Sequence, residues 1–368
     1  MRFTLSLARR QQWVAFLLVG CLSILYAELF SGASSLWFFD AWSILVTFPL
    51  YMVHVIFFFN LALRTARTSP VHLYLWGMLF AMYESWITQV LWVGYTANQP
   101  LLGTVCGIAV GEFLGLVLFW HPVMSFIVPL VIFEVLVLSI STDNPEERVL
   151  PSHVPLLITT PRNRRMLVFL YILGSIFMTV SYQGNILLGL AVLGGTYGIL
   201  YGLYRKARTY QVTIYSLRVG KKGFTLAVGY LLLLYTAMFF GYGYQHGRIS
   251  GPLPIVATIL LYIIFIWLII SSHPTGESVG IPSSLIARRI SSRTCRTLAI
   301  FQLILICGLG IVYFVVPLVV QGAFFFLYVL ICGGGMYLVI KAFLLRNSQT
   351  EEFLERTFTK ISEPCRLD

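Results

Sequence analysis

Eleven apolar stretches, each close to the length of a membrane-spanning helix, follow one another along this sequence. A helix needs about 20 apolar residues to cross the hydrocarbon core of a bilayer. With 58% hydrophobic and only 11% charged residues over 368 positions, the chain carries too much apolar surface for a soluble fold. The stretches are residues 11–30, 42–63, 71–93, 101–120, 122–141, 166–182, 186–204, 224–244, 255–272, 298–320 and 323–345.

These stretches predict an all-α fold, a polytopic integral membrane helical bundle surrounded by lipid. We expect one membrane domain over residues 1–345, because the loops between the stretches are too short to fold independently. Residues 346–368 are expected to form a cytoplasmic tail. Its apolar residues have the spacing of an amphipathic helix, with Phe353, Leu354, Phe358 and Ile361 on one side.

The basic residues predict the orientation of the bundle. Lys and Arg close to membrane helices favour the cytoplasmic side, and all 25 of them except Arg248 fall in six groups. If these groups share one side, both termini are cytoplasmic, and we expect a plasma (cytoplasmic) membrane protein. The net charge of +11 then favours anionic lipid headgroups as partners and not nucleic acid. The groups lie within residues 2–10, 64–67, 148–165, 205–222, 288–296 and 341–366.

The number of apolar stretches conflicts with this orientation at one place. An even number of crossings must separate residues 64–67 from residues 148–165, yet three apolar stretches lie between them. Two of these form a nearly unbroken run from 101 to 141, which as one helix would be about 60 Å long, twice the hydrocarbon thickness. We therefore predict about ten crossings plus one broken or re-entrant segment.

Proline positions suggest where the break occurs. His121-Pro122 is the first candidate, because proline disfavours helix at the residue before it, and Pro129 is a second hinge. The alternative is an ordinary hairpin of two helices, with one loop that departs from the charge rule. Within the same run, Gly103, Gly107, Gly111 and Gly115 recur every four residues, a pattern typical of close helix packing.

Ionisable side chains inside the apolar stretches indicate a functional centre. Each buried carboxylate costs at least about 2.5–3.5 kcal/mol on insertion scales, so such residues usually face the interior of the bundle. We expect at least two of the carboxylates to line one polar cavity with a histidine. The other interpretation is that each is protonated and hydrogen-bonded to a neighbouring helix. The candidates are Glu84, Glu112 and Glu134, with His121 or His54, while Glu28 lies near the outer end of the first stretch.

Two classes of function fit these residues. A transporter or channel-like protein would use buried carboxylates for proton or cation coupling. An intramembrane enzyme acting on a lipid or prenyl-like substrate would use the same Glu and His groups as acid and base. The sequence contains neither an HExxH motif nor a CxxC pair, so we predict no metal centre and no cofactor. The substrate is an unidentified ion, small molecule or lipid.

Overall fold

A computed structural model describes residues 2–95, 99–141, 147–243, 248, 251–275 and 288–345. Over these ranges the chain is a helical bundle with one short hairpin, which confirms the predicted class. In chain order the helices are α1 (Arg2–Ile24, extended by a π-helical turn, Leu25–Leu29), α2 (Phe48–Arg64, preceded by a π-helical turn, Ser43–Thr47), α3 (Pro70–Ile87), α4 (Val90–Val93), α5 (Val110–Glu112), a π-helix (Phe113–Ile127), α6 (Val128–Leu138), α7 (Val154–Leu157), α8 (Pro161–Ser181), α9 (Ile186–Thr209), α10 (Lys221–Tyr235, extended by a π-helical segment, Thr236–Gly243), α11 (Pro252–Ile270), α12 (Ser292–Val315) and α13 (Pro317–Leu345).

Nine helices in the described part of the chain are long and apolar enough to cross a membrane. The helix α3 is shorter, with 18 residues, and it carries His72 and Glu84. Most of its side chains are nevertheless buried, because it packs against the π-helix, α2 and α11 in the interior of the bundle. The central position of α3 makes it the helix around which the candidate site is built.

Hydrogen bonds between loops gather the basic residues at one end of the bundle. Gln12 Nε2 donates to the carbonyl of Arg218 at 2.6 Å, and Arg64 Nη2 donates to the carbonyl of Val219 at 3.1 Å. The backbone N–H of Thr159 donates to the carbonyl of Arg288 at 2.6 Å. We call the end that holds these loops the basic end. The opposite end holds the loops at residues 31–40 and 182–185, joined by a 2.7 Å hydrogen bond from the Tyr182 hydroxyl to the Ser34 carbonyl.

Residues 110–138 form one continuous helix, so the break expected at His121-Pro122 does not occur. This long helix joins α5, the π-helix and α6 into Val110–Leu138, with 29 residues. Both the re-entrant segment and the hairpin of two helices are therefore wrong. The conflict between the number of apolar stretches and the positions of the basic residues then disappears. Two helices, α3 and the long helix, separate residues 64–67 from residues 148–165. Two is the even number that the charges require.

The long helix continues through Pro122 and Pro129, so neither proline is a hinge or break. Proline cannot donate a backbone hydrogen bond, and in an α-helix its ring crowds the carbonyl four residues earlier. From Phe113 to Ile127 this helix is π-helical, with hydrogen bonds that reach five residues back. The wider turn gives the ring of Pro122 room that an α-helical turn lacks.

Neighbouring helices supply side-chain donors to two carbonyls of the long helix, one about a turn before each proline. The carbonyl of Leu118, four residues before the first proline, accepts the Tyr74 hydroxyl at 2.6 Å. The carbonyl of Ser125, four residues before the second, accepts the Ser23 hydroxyl at 2.6 Å. Donation from other helices is the usual way in which prolines are tolerated inside a membrane.

The first part of the stretch at 101–120 is a hairpin and not membrane helix. Strand β1 (Thr104–Val105) pairs antiparallel with β2 (Ile108–Ala109) before the long helix begins. Gly103 and Gly107 have φ values of +72° and +76°, a conformation that residues with a Cβ rarely adopt. The glycine repeat therefore reflects turn geometry in its first half, and only its second half lies on a helix.

The expected amphipathic tail, residues 346–368, lies outside the described residues. The boundary between residues 345 and 346 accordingly stays a prediction.

Candidate functional site

Glu84 and His121 meet in the interior of the bundle. His121 Nε2 lies 2.9 Å from Glu84 Oε2, and the two side chains are 6% and 15% exposed, respectively. The other ring nitrogen, Nδ1, lies 3.0 Å from the Ser125 hydroxyl. A hydroxyl either donates or accepts, so this environment suits both the neutral and the protonated imidazole. Both ring nitrogens of His121 therefore have a hydrogen-bond partner in either form of the ring.

A close approach of two backbones positions this pair. A Cβ built on Gly77 of α3 would fall 2.7 Å from the Cα of Pro122, so only glycine allows the two helices to come this close. Glu84 lies seven residues, or two turns, further along the same face of α3. His121 directly precedes Pro122, and the contact brings the two ionisable side chains within hydrogen-bonding distance.

Glu28 also lies beside Glu84 and His121. The sequence did not predict that Glu28 would join them. It lies on the π-helical turn after α1, where its carboxylate accepts hydrogen bonds from the Tyr51 hydroxyl and, at 2.7 Å, from the Ser34 hydroxyl. The ring of Tyr51 stacks with that of His121 at a centroid distance of 6.3 Å. Glu28 is also close enough to Glu84 and His121 for their charges to interact. We call Glu28, Tyr51, Glu84 and His121 the carboxylate site.

His54 lies beside this site with one ring nitrogen unpaired. Its Nδ1 is 2.7 Å from the Leu50 carbonyl, which can only accept, so Nδ1 carries the hydrogen. Its Nε2 is buried and has no hydrogen-bond partner among the described residues. The ring stacks on Phe80 and contacts the edge of Tyr83, both at 4.6 Å between centroids. Nε2 is therefore an acceptor in a dry, aromatic environment.

Glu112 holds a loop at the end opposite the basic end. Its carboxylate accepts from the backbone N–H of Tyr95 at 3.2 Å and from that of Leu101 at 3.2 and 3.3 Å. Because these donors belong to the chain between α4 and the hairpin, Glu112 fixes that loop to the first turn of the long helix.

Glu134 holds another loop, at the basic end. It accepts from the backbone N–H of Leu150 at 2.9 Å and from His153 Nδ1 at 2.7 Å. Burial opposes the charged form of His153, but the Glu134 carboxylate and the Thr68 carbonyl, 2.8 Å from His153 Nε2, together raise the pKa of His153. This pair fastens residues 147–153 beneath the bundle.

Of the three glutamates, Glu84 is the one in contact with His121, whereas Glu112 and Glu134 accept hydrogen bonds from loops. Glu112 and Glu134 lie 22 residues apart, near the two ends of the helix Val110–Leu138. Each therefore has its own partners near one end of the helix, and only Glu84 joins His121. The described residues also include no group of three His, Cys, Asp or Glu side chains that could hold a metal ion.

One sequence pattern could have indicated that Tyr51 belongs to the carboxylate site. Tyr51 lies three residues before His54, so the two share a face of α2. Glu28 gave a weaker signal, because a carboxylate near a helix end is usually solvated. Glu28 reaches the carboxylate site only because α1 and α2 pack together, and the sequence does not reveal that packing.

Fold and site together define a polytopic helical membrane protein with a buried site of two carboxylates and an imidazole. The chain belongs to the Uncharacterized membrane protein family, whose model matches residues 17–356. An Uncharacterized protein of Archaeoglobus fulgidus is 40% identical over 131 residues, which cover 34% of this chain and 40% of that protein. The chain thus spans less than half of the length of this relative. No solved structure matches the chain.

Proposed function

We propose that this protein is a transporter that couples the movement of a cation to that of protons at the carboxylate site. The observation that carries this proposal is the contact of 2.9 Å between Glu84 and His121 inside a membrane bundle. Ionisable residues at such depth are costly, and they usually mark an ion or proton pathway.

Mutual interaction of three titratable groups supports coupling. Glu28 lies close enough to Glu84 and His121 for their charges to interact. A cation that enters between the two carboxylates favours their charged forms and displaces a proton. Departure of the cation reverses this change.

The position of the site along the bundle supports access from one side. Glu84 lies three residues from the end of α3, and Glu28 lies one residue from the end of its π-helical turn, both at the end opposite the basic end. Towards the basic end, α3 continues with the fully buried Leu75 and Met78. This arrangement suits a site that opens to one face while an apolar layer separates it from the other.

The orientation is part of the same proposal. With the basic end in the cytoplasm, the positive-inside rule holds for every described basic group except Arg248. The carboxylate site then opens to the outside of a cytoplasmic membrane, and the basic end contacts anionic lipid headgroups.

Proton movement in proteoliposomes tests this function. An internal pH dye reports protons when a gradient of Na⁺, K⁺ or methylammonium is imposed. We expect the wild-type protein to change the internal pH and Glu84→Gln to lose at least about tenfold of the rate, because the amide keeps the shape but does not titrate. Glu147→Gln, at an exposed carboxylate, is the control and should match the wild type. Equal rates for Glu84→Gln and wild type would contradict the proposal.

A second candidate rests on the order of three side chains. The hydroxyl of Ser125, the imidazole of His121 and the carboxylate of Glu84 form a hydrogen-bonded row of 3.0 and 2.9 Å. Hydrolases use a row of the same three groups, with the serine as nucleophile, although there the serine contacts Nε2 and the carboxylate Nδ1, the reverse of the arrangement at His121. This favours, as the alternative, an intramembrane enzyme acting on a lipid or prenyl-like substrate. Ser125 is fully buried, so a substrate would first have to open the site.

The variant Ser125→Ala separates the two candidates. A hydrolase would lose turnover and labelling by a fluorophosphonate probe, because its nucleophile is gone. A transporter would keep most of its cation-driven proton movement, because Glu84, His121 and Glu28 are unchanged.

A further inference from the structure

The loop that follows the π-helical turn of α1 folds back onto Glu28. The Ser34 hydroxyl donates to Glu28 Oε2 at 2.7 Å. The Glu28 carbonyl accepts from the backbone N–H groups of Ala33 at 2.9 Å and Ser34 at 3.4 Å, and the Ser31 hydroxyl donates to the same carbonyl at 2.9 Å. This loop, which we call the cover loop, consists of residues 31–35 and contacts both the backbone and the carboxylate of Glu28.

The cover loop lies where the carboxylate site meets the end of the bundle opposite the basic end. Ala33 and Ser35 are exposed, and Glu28 is only partly buried. The other carboxylate oxygen, Glu28 Oε1, accepts from the Tyr51 hydroxyl on the inner side. Because the hydroxyl hydrogen of Ser34 points at Oε2, a cation that binds this oxygen meets a partial positive charge unless Ser34 moves away.

Two side chains at the C-terminal end of α8 hold the cover loop in place. The Tyr182 hydroxyl donates to the Ser34 carbonyl at 2.7 Å, and the Ser181 hydroxyl donates to the Ser31 carbonyl at 3.0 Å. A Cβ built on Gly32 would lie 2.3 Å from that of Ser181, so the loop and the helix end are in direct contact. The cover loop is therefore tied to the carboxylate site on one side and to α8 on the other.

Fixed residues on both sides separate the cover loop from the rest of the bundle. Phe30, directly before it, is fully buried and packs on Gly174 of α8. Trp37, two residues after it, donates from Nε1 to the Thr196 hydroxyl of α9 at 3.0 Å. The loop itself contains only serine, glycine and alanine. Opening it exposes little apolar surface, and water replaces its hydrogen bonds, so the cost of opening is small.

We propose that the cover loop is a gate of the carboxylate site, closed in this structure by the hydrogen bonds from Ser34 to Glu28 and from Tyr182 to Ser34. The gate opens when the loop lifts and the Ser34 hydroxyl leaves Glu28 Oε2, which then faces the arriving cation. This inference rests on the function proposed above, because it assigns the path by which the cation reaches Glu28.

Chemical labelling of Glu28 in the full chain tests the gate without measuring transport. A water-soluble carbodiimide and glycine ethyl ester convert a reachable carboxyl group to an amide, and peptide mass spectrometry gives the rate at Glu28. Tyr182→Phe removes one tie of the loop without touching the carboxylate. We expect it to speed the labelling of Glu28 by about three- to tenfold, the effect of one hydrogen bond. Ser35→Ala, at an exposed hydroxyl of the same loop, is the control and should match the wild type.

A second variant covers the case in which Tyr182→Phe does not fold. Ser34→Ala removes the contact with Glu28 Oε2 itself and should speed the labelling by a similar factor. Rates in both variants that equal the wild-type rate would overturn the gate.

The same assay examines the proposed function separately. Na⁺, K⁺ or methylammonium, added to a buffer of N-methylglucamine, should slow the labelling of Glu28 by occupying the carboxylate site. Faster labelling in the variants with no protection by any of these cations would support the cover loop as the barrier at Glu28 and contradict cation binding there.

Discussion

Gly77 and Pro122 touch across the interface of α3 and the long helix, with room for no side chain between them. A Cβ on Gly77 would lie 2.7 Å from the Cα of Pro122 and 3.2 Å from its carbonyl oxygen. Because these obstacles include backbone, they cannot move aside as a flexible side chain would. The distance between two helices, and with it the contact of Glu84 with His121, therefore depends on one missing methyl group.

Gly77→Ala should accordingly separate the two helices and weaken the carboxylate site. We expect a loss of about 1–3 kcal/mol in stability from overpacking, together with reduced proton movement. Gly198→Ala on α9 is the control, because nothing lies within 4 Å of that position and alanine favours helix. Thermal unfolding in detergent measures both. Equal stability of the two variants would contradict this prediction, because it would mean that α3 and the long helix can move apart at Gly77 without cost.

The hydroxyls that donate to the carbonyls of Leu118 and Ser125 should be needed for stability. Tyr74→Phe and Ser23→Ala each leave a buried carbonyl without that donor, at a cost of about 1–3 kcal/mol. Tyr201→Phe removes a hydroxyl from a side chain that is 64% exposed and should cost little. Chemical unfolding of the three variants checks this. A cost for Tyr74→Phe no larger than that for Tyr201→Phe would mean that the long helix tolerates the bare carbonyl.

The pair of Glu134 and His153 should make stability depend on pH. The pKa of His153 is raised in the folded protein, so its contribution is fully present below the unfolded pKa of about 6.5 and is lost as the pH rises through the folded value. Glu134→Gln keeps an acceptor for the Leu150 N–H but removes the charge. We expect it to be less stable than wild type by about 1.5–3 kcal/mol at acidic pH, with the difference shrinking at alkaline pH. A difference that does not change with pH would contradict this.

Glu112→Gln should leave proton coupling nearly unchanged. The amide oxygen still accepts from the N–H groups of the loop, and Glu112 is not part of the carboxylate site. The same liposome assay compares it with Glu84→Gln. If Glu112→Gln reduced the rate of proton movement as much as Glu84→Gln does, Glu112 would have to be part of the transport pathway.

The native Cys106 offers a test of orientation. It is exposed in the hairpin at the end opposite the basic end. We expect an impermeant maleimide to label it from outside intact cells, and Lys206→Cys at the basic end to be labelled only after the membrane is opened. Labelling of position 206 in intact cells would show that the basic end lies outside the cell, the opposite of the proposed orientation.

Hydropathy predicted most helices because lipid-facing segments must be apolar over their whole length. The stretch at 186–204 became Ile186–Thr209, and that at 323–345 lies within Pro317–Leu345. The same signal failed at 101–109, where apolar residues form a hairpin whose glycines need positive φ. Hydropathy measures how apolar these residues are, but it carries no information about their backbone conformation.

The site was harder to predict than the fold because its partners are distant in sequence. Glu84 and His121 were candidates through their burial cost alone, and they do meet. Glu112 and Glu134 had the same cost but are paired with loops. The Tyr74 hydroxyl donates to the Leu118 carbonyl, about one turn before Pro122, and one sequence gives no sign of such a donor from another helix.

In the proposed transporter, the location of Glu84 near one end of α3 also determines how the site senses membrane voltage. The potential across a membrane falls over the part that excludes water, and under this proposal that part is the stretch of α3 from Glu84 back to Pro70, most of whose side chains are buried. A cation arriving from the end opposite the basic end crosses little of the field, whereas one leaving towards the basic end crosses most of it. At about 2.3 kcal/mol per elementary charge per 100 mV, the voltage acts on the inward release of a cation and hardly on its binding.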